Sequence, residues 1–142
     1  MSAPTLTSAV AVPFSWTSGG ADVVLTFASG ASPVNVTVAT GTYRMQLAPA
    51  ATDFVRVVQN AINAALVGAG RAEVFTITML PSSLIYVEST GVFTMALSDP
   101  FKTLGFSVGM SSALNATSTY PPANFATFIE RVCADWSPKS AV

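Results

Sequence analysis

Apolar residues alternate with small or polar ones along most of this chain, and in one stretch they recur at helical spacing instead. Val10, Val12, Phe14 and Trp16 stand at every second position, the period of a strand with one buried face. Pro13 falls inside that run and predicts an edge position, because proline has no ladder donor. Ser18-Gly19-Gly20 is turn chemistry, and Val23, Leu25 and Phe27 alternate beyond it, which predicts a first hairpin. Gly30 to Pro33 turns the chain again before a third strand at Val34, Val36 and Val38. Gly41 through Tyr43 to Met45 either extends that strand or bends off it.

Between residues 52 and 67 the period changes. Phe54, Val57, Val58, Ala61, Ile62, Ala65 and Leu66 fall on one face of a helix, with Arg56, Gln59, Asn60 and Asn63 on the other. Thr52 reads as the N-cap, Asp53 as an acid complementing the helix dipole, and Gly68 and Gly70 as terminators. The expected packing face is Phe54, Val57, Val58, Ile62 and Leu66, laid flat on a sheet.

Alternation then resumes at Phe75, Ile77 and Met79 and breaks at Leu80-Pro81. Ile85 and Val87 lead into Ser89-Thr90-Gly91 and Phe93, Met95 and Leu97 lead out, which predicts a second hairpin with a glycine turn. Asp99-Pro100 opens another turn, and Leu104-Gly105-Phe106 reads as a packed corner. The pattern predicts a mostly β, α+β fold: an antiparallel β-sandwich or barrel with one packed amphipathic helix. Residues 10–116 form the core domain, residues 1–9 an N-terminal arm and residues 117–142 a C-terminal arm. A short helix near 125–134 presents Phe125, Phe128, Ile129 and Val132 on one face.

Composition narrows the function classes. Only 9% of the 142 residues are charged, against roughly 25% in ordinary soluble domains, while 51% are hydrophobic. A net charge of -1 gives little colloidal repulsion, so the expected use is as a subunit whose surface neighbours cover. The candidate interface residues are the large apolar groups in the arms and edge strand: Leu6, Trp16, Tyr120, Phe125, Phe128 and Trp136. No apolar run approaches the ~20 residues of a spanning helix, and Met1 to Leu6 has no basic region that would open a signal peptide. Acids slightly outnumber bases and no basic cluster exists, so neither nucleic acid nor membrane is an expected partner.

Catalytic chemistry is sparse. There is no histidine, and one cysteine, Cys133, neither builds a zinc cluster nor closes a disulfide. The acids Asp22, Asp53, Glu73, Glu88, Asp99, Glu130 and Asp135 are scattered singly; Glu73 and Glu88 are the pair that folding would have to bring together for glycosidase-like chemistry. Asn35-Val36-Thr37 and Asn115-Ala116-Thr117 match the glycosylation acceptor, which a Thr-rich chain does by chance. Trp16, Tyr43 and Trp136 are the aromatics that a sugar-binding domain would expose. The expectation is no catalytic, metal or cofactor site and no small-molecule substrate.

The order of short motifs is more specific than any of them. Phe14-Ser15-Trp16-Thr17-Ser18-Gly19-Gly20 precedes Val-rich strands and a Gly41-Thr42-Tyr43 turn. The helix from Asp53-Phe54-Val55 to Ala65-Leu66 follows, then Phe93-Thr94-Met95-Ala96-Leu97 and Leu104-Gly105-Phe106. Over residues 10 to 120 this resembles a module of virion and tail-region proteins of tailed bacteriophages. The resemblance implies a non-enzymatic structural subunit, tail-associated as part of a tube, adaptor or baseplate and assembled in the host cytoplasm with copies of itself and other virion proteins. A capsid decoration protein and a secreted carbohydrate-binding or adhesin domain are the alternatives.

Overall fold

The structure is a computed structural model and describes residues 13–27, 32–46 and 50–122. The expectations for Leu6, Val10, Val12, Phe125, Phe128, Cys133 and Trp136, with the arm at 1–9 and the helix near 125–134, lie outside the described residues. In chain order the elements are β1 (Phe14–Trp16), β2 (Val23–Phe27), β3 (Val34–Val36), β4 (Gly41–Tyr43) and α1 (Phe54–Gly68). They continue as β5 (Phe75–Met79), β6 (Ile85–Met95), α2 (Asp99–Thr103) and β7 (Met110–Thr117). The fold is mostly β, of the α+β class, with every strand pair antiparallel and one helix packed on the sheet.

The eleven-residue β6 is the spine. Its first half pairs with β5 (Ile77 opposite Val87) and its second half with β2 (Leu25 opposite Met95), while β7 runs beside both halves. β3 pairs with β2 and completes five strands; β1 and β4 form a separate two-stranded sheet. The alternating positions Val23, Leu25, Phe27, Val34, Val36, Phe75, Ile77, Met79, Ile85, Val87, Phe93 and Met95 all point into one core. Thr76, Thr78, Glu88 and Thr94 face outward.

α1 covers that core. Phe54, Val58, Ile62 and Leu66 are fully buried, as is Val55; Val57 is half-buried against the same cluster. The helix begins one residue later than Thr52 predicts. Asp53 is the N-cap, and its carboxylate makes no cap bond; it turns back to accept from Ala50 N–H at 2.7 Å and Gln46 Nε2 at 2.8 Å. At the other end Gly68 stays helical and Ala69 is the C-cap. Gly70 N–H donates to Val67 O and Arg71 N–H to Leu66 O, the paired closure of a Schellman motif.

Two expected hairpins are absent. β1 does not pair with β2, because the 18–22 turn folds the chain onto β3 instead. Asp22 accepts from Gly19 N–H (2.8 Å) and from Val38 N–H (2.8 Å), and its own N–H donates to Val36 O. Ser89-Thr90-Gly91 is not a turn but an irregularity inside β6: from Glu88 to Phe93 the strand advances five residues while β7 advances two, from Asn115 to Ala113. The turn that joins β5 to β6 is at residues 80–84, with Ser83 N–H bonded to Leu80 O and Ser83 at φ 70. Gly91 instead leaves room for a neighbour, since a Cβ there would lie 2.8 Å from Glu73 Cγ.

The polar face of α1 is not simply solvated. Asn63 donates through Nδ2 to Phe75 O (2.9 Å) and accepts through Oδ1 from Phe75 N–H (2.8 Å). Gln59 Oε1 accepts from Ile77 N–H (2.9 Å), and Arg56 Nη1 donates to Ile77 O (3.0 Å). Three side chains on successive turns of the helix thus take the place of a neighbouring strand along the outer edge of β5. Replacing Asn63 with Ala leaves two backbone groups of Phe75 unpaired, at an expected cost of about 2 kcal/mol. Asn60→Ala on the exposed face is the control and should change stability by less than about 0.5 kcal/mol in urea unfolding.

Candidate functional site

The first turn of α1 holds the small sheet. Phe54 packs with ring centroids 5.2 Å from Phe14, 5.4 Å from Trp16 and 5.5 Å from Tyr43, all in tilted or edge-on geometry. Trp16 is only 9% exposed, and its indole N–H donates to Val38 O at 3.1 Å. Trp16, named as a candidate interface residue and as an aromatic a sugar-binding domain would expose, is a core residue of the chain. Tyr43 is half-buried and its hydroxyl donates to Ala39 O, so it forms no exposed aromatic platform either.

Among the described residues, the carboxylates of Asp22, Asp53 and Glu73 are engaged in structural hydrogen bonds. Burial raises the Asp22 carboxyl, but hydrogen bonds from Ser18 Oγ (2.6 Å), Val38 N–H and Gly19 N–H outweigh it and hold the group below its ordinary value. Both Glu73 oxygens are engaged by Arg71, whose Nε lies 2.8 Å from Oε1 and Nη2 2.7 Å from Oε2. That hydrogen-bonded guanidinium holds the Glu73 carboxyl below the usual range, and Glu73 in turn raises Arg71. The same guanidinium lies 4.1 Å above the Phe27 ring. Glu88 stands on the outer face of β6 between Thr76 and Asn115, so no free carboxylate pair forms with Glu73. Asp99 and Lys102 make an exposed contact of 3.8 Å, which contributes little.

A carboxylate depressed in the fold stabilises it above the unfolded pKa, about 4, and loses that contribution as pH falls through the folded value. Asp22→Asn should therefore be less stable than the parent at pH 7. The difference should shrink as pH drops below about 4, with urea midpoints as the measurement. A gap unchanged down to about pH 2 would show that shape, not charge, matters at this turn.

A polar cleft of about 180 Å³ lies among Pro13, Thr42, Tyr43, Arg44, Thr52 and Asp53. It is smaller than the roughly 300 Å³ at which ligand pockets usually begin. Among the described residues there is no group of three or more Asp, Glu or Cys placed to hold a metal ion, and no helix is long and apolar enough to cross a membrane.

The surface is more informative than the clefts. Of the charged side chains in the described residues, only Arg44, Glu88, Asp99 and Lys102 are exposed, whereas seven large apolar side chains are. Three of those seven lie on or beside β7: Val108 at 67%, Leu114 at 49% and Tyr120 at 62% exposure. Tyr120, an expected interface residue, presents its ring to solvent while its N–H donates to Gly105 O. The backbone at 117–122 is part of the core, not an arm: Ser118 is buried, its N–H donates to Ile85 O and its hydroxyl accepts from Ile85 N–H. Val108 and Leu114 carry no sequence signal, because single apolar residues in polar strands are ordinary. Neither a family model, nor a curated protein, nor a solved structure matches the chain.

Proposed function

We propose that the chain is a non-enzymatic structural subunit of a bacteriophage virion, tail-associated in a tube, adaptor or baseplate. It assembles in the host cytoplasm with copies of itself and with other virion proteins. The virion and tail part of the reading rests on the resemblance over residues 10 to 120. One observation supports the assembly part: exposed large apolar side chains outnumber exposed charged ones by seven to four over the described surface. A subunit left alone in water keeps more charge on its surface, whereas an interface core is depleted in charge. Symmetric particles use such surfaces repeatedly.

Antibodies against the chain, imaged on particles from cells that produce it, test the reading. Label at the tail is the expected result; label over the head makes the chain a capsid decoration protein, and unlabelled particles overturn the virion assignment. The non-enzymatic part is tested with polysaccharide and peptidoglycan hydrolysis assays. Activity that disappears in Glu73→Ala, Glu88→Ala or Asp99→Ala would reverse it.

A further inference from the structure

The two outer edges flanking β6 are finished differently. On β5, the outward N–H and C=O groups of Phe75 and Ile77 are bonded by Arg56, Gln59 and Asn63. Among the described residues nothing does the same for β7. Ser118 N–H donates to Ile85 O at 2.8 Å while Ile85 N–H donates to the Ser118 hydroxyl, so Ser118 and Ile85 face each other at a bonding position of the ladder. By alternation Thr117–Tyr86 and Asn115–Glu88 are then the non-bonded pairs. The backbone N–H and C=O of Asn115 and Thr117 therefore face away from β6, and both residues are exposed. Edges of this kind are usually blunted by lysine or proline. From Met110 to Tyr120 the chain contains neither a charge nor a proline, and exposed Val108, Leu114 and Tyr120 accompany it.

The edge is complementary to itself. Ala116 lies midway between the two outward residues. A two-fold axis at Ala116 sets Asn115 of each copy opposite Thr117 of the other, so both become closed hydrogen-bonded pairs at once. Ala116 then meets its counterpart in the closer, non-bonded position, where a small side chain fits. No charge lies on the strand to repel its own image across the axis. We propose that β7 pairs antiparallel with β7 of a second copy about this axis, joining the two large sheets into one. The proposal rests on the assembly reading above for its statement that copies of the chain meet; the edge and the register are its own.

Sedimentation equilibrium of the full chain over a range of concentrations tests it with two double variants. Asn115→Lys/Thr117→Lys sets like charges opposite each other twice across the axis; Asn115→Lys/Thr117→Glu sets opposite charges there. The parent should form dimers or multiples of two. The Lys/Lys variant should associate roughly tenfold or more weakly and the Lys/Glu variant about as well as the parent, since directly opposed cross-strand charges act with those signs. Melting temperatures close to the parent's in both confirm that the subunit itself is intact. Equal association of the Lys/Lys variant and the parent overturns the edge while leaving the assembly reading standing, the more so if removing residues 1–9 abolishes association. A parent that stays monomeric throughout the range overturns the β7 pairing, and labelling of particles then decides the assembly reading separately.

Discussion

Ile62→Asp is expected to destabilise the fold by about 4 kcal/mol or more. Ile62 is fully buried in the middle of α1, surrounded by the apolar faces of the helix and the large sheet. The substituted carboxylate would be buried unpaired in that apolar setting or would force the helix off the sheet. Thermal melting should show a fall of about 10 °C or more, or no cooperative transition at all. Ala64→Asp, two residues along on an exposed position of the same helix, separates packing from propensity. It should cost less than about 1 kcal/mol, the scale of helix propensity alone. Similar melting of both variants would mean that α1 does not pack by this face.

Gly105→Ala is the second large expected effect, and it acts on the backbone. Gly105 has φ +101, and a Cβ added there would overlap Tyr120 O and stand 2.9 Å from Tyr120 C. Both are backbone atoms and cannot swing aside. The corner made by Phe101, Leu104 and Phe106 would have to release residues 118–121, including the Tyr120 N–H bond to Gly105 O. An expected loss of about 3 kcal/mol combines backbone strain with the lost docking. Gly20→Ala isolates the first part, because Gly20 has φ +105 and open space where a Cβ would stand. It should cost about 1–2 kcal/mol. If the two variants melt together, the contact with Tyr120 contributes nothing.

These two sites differ in how far the sequence reveals them. Ile62 follows from period alone: a residue flanked at helical spacing by Val58 and Leu66 has one direction in which to bury. Gly105 is recognisable as part of a Leu-Gly-Phe corner, but its closeness to Tyr120, far along the chain, depends on where β7 ends. Gly91 shows the opposite case. Beside Ser89 and Thr90 it has the chemistry of a hairpin turn, yet it sits within a strand because the Glu73 side chain, held by Arg71, lies against it. Glycine next to small polar residues signals either a turn or a close approach, and the local sequence is the same for both.

Trp16 departs from its expected place for a related reason. An edge strand with a proline before it and a tryptophan in it looks like a surface waiting for a partner. The partner is Phe54, at the start of a helix well separated in sequence, together with the Val38 carbonyl. Likewise Arg56, Gln59 and Asn63 read as a solvated helix face, and only the placement of β5 beside them turns that face into an edge seal.

By itself the sequence determined which side of each element faces inward. Residues two apart on a strand, or three and four apart on a helix, share a face by covalent geometry, and burial of apolar area then decides that face without reference to any neighbour. This is why the α+β class, most of the α1 core positions and the alternating strands are readable from it; fully buried Val55 lies outside the expected face. Which strands pair, and in what register, only the tertiary structure decided. An alternating strand is satisfied by any antiparallel neighbour, so the choice of β3 over β1 for β2 falls to the Asp22 bonds with Gly19 and Val38. The same holds for the edges: whether a strand's outward N–H and C=O groups are met by side chains, as on β5, or by none among the described residues, as on β7, depends on what the fold carries alongside them.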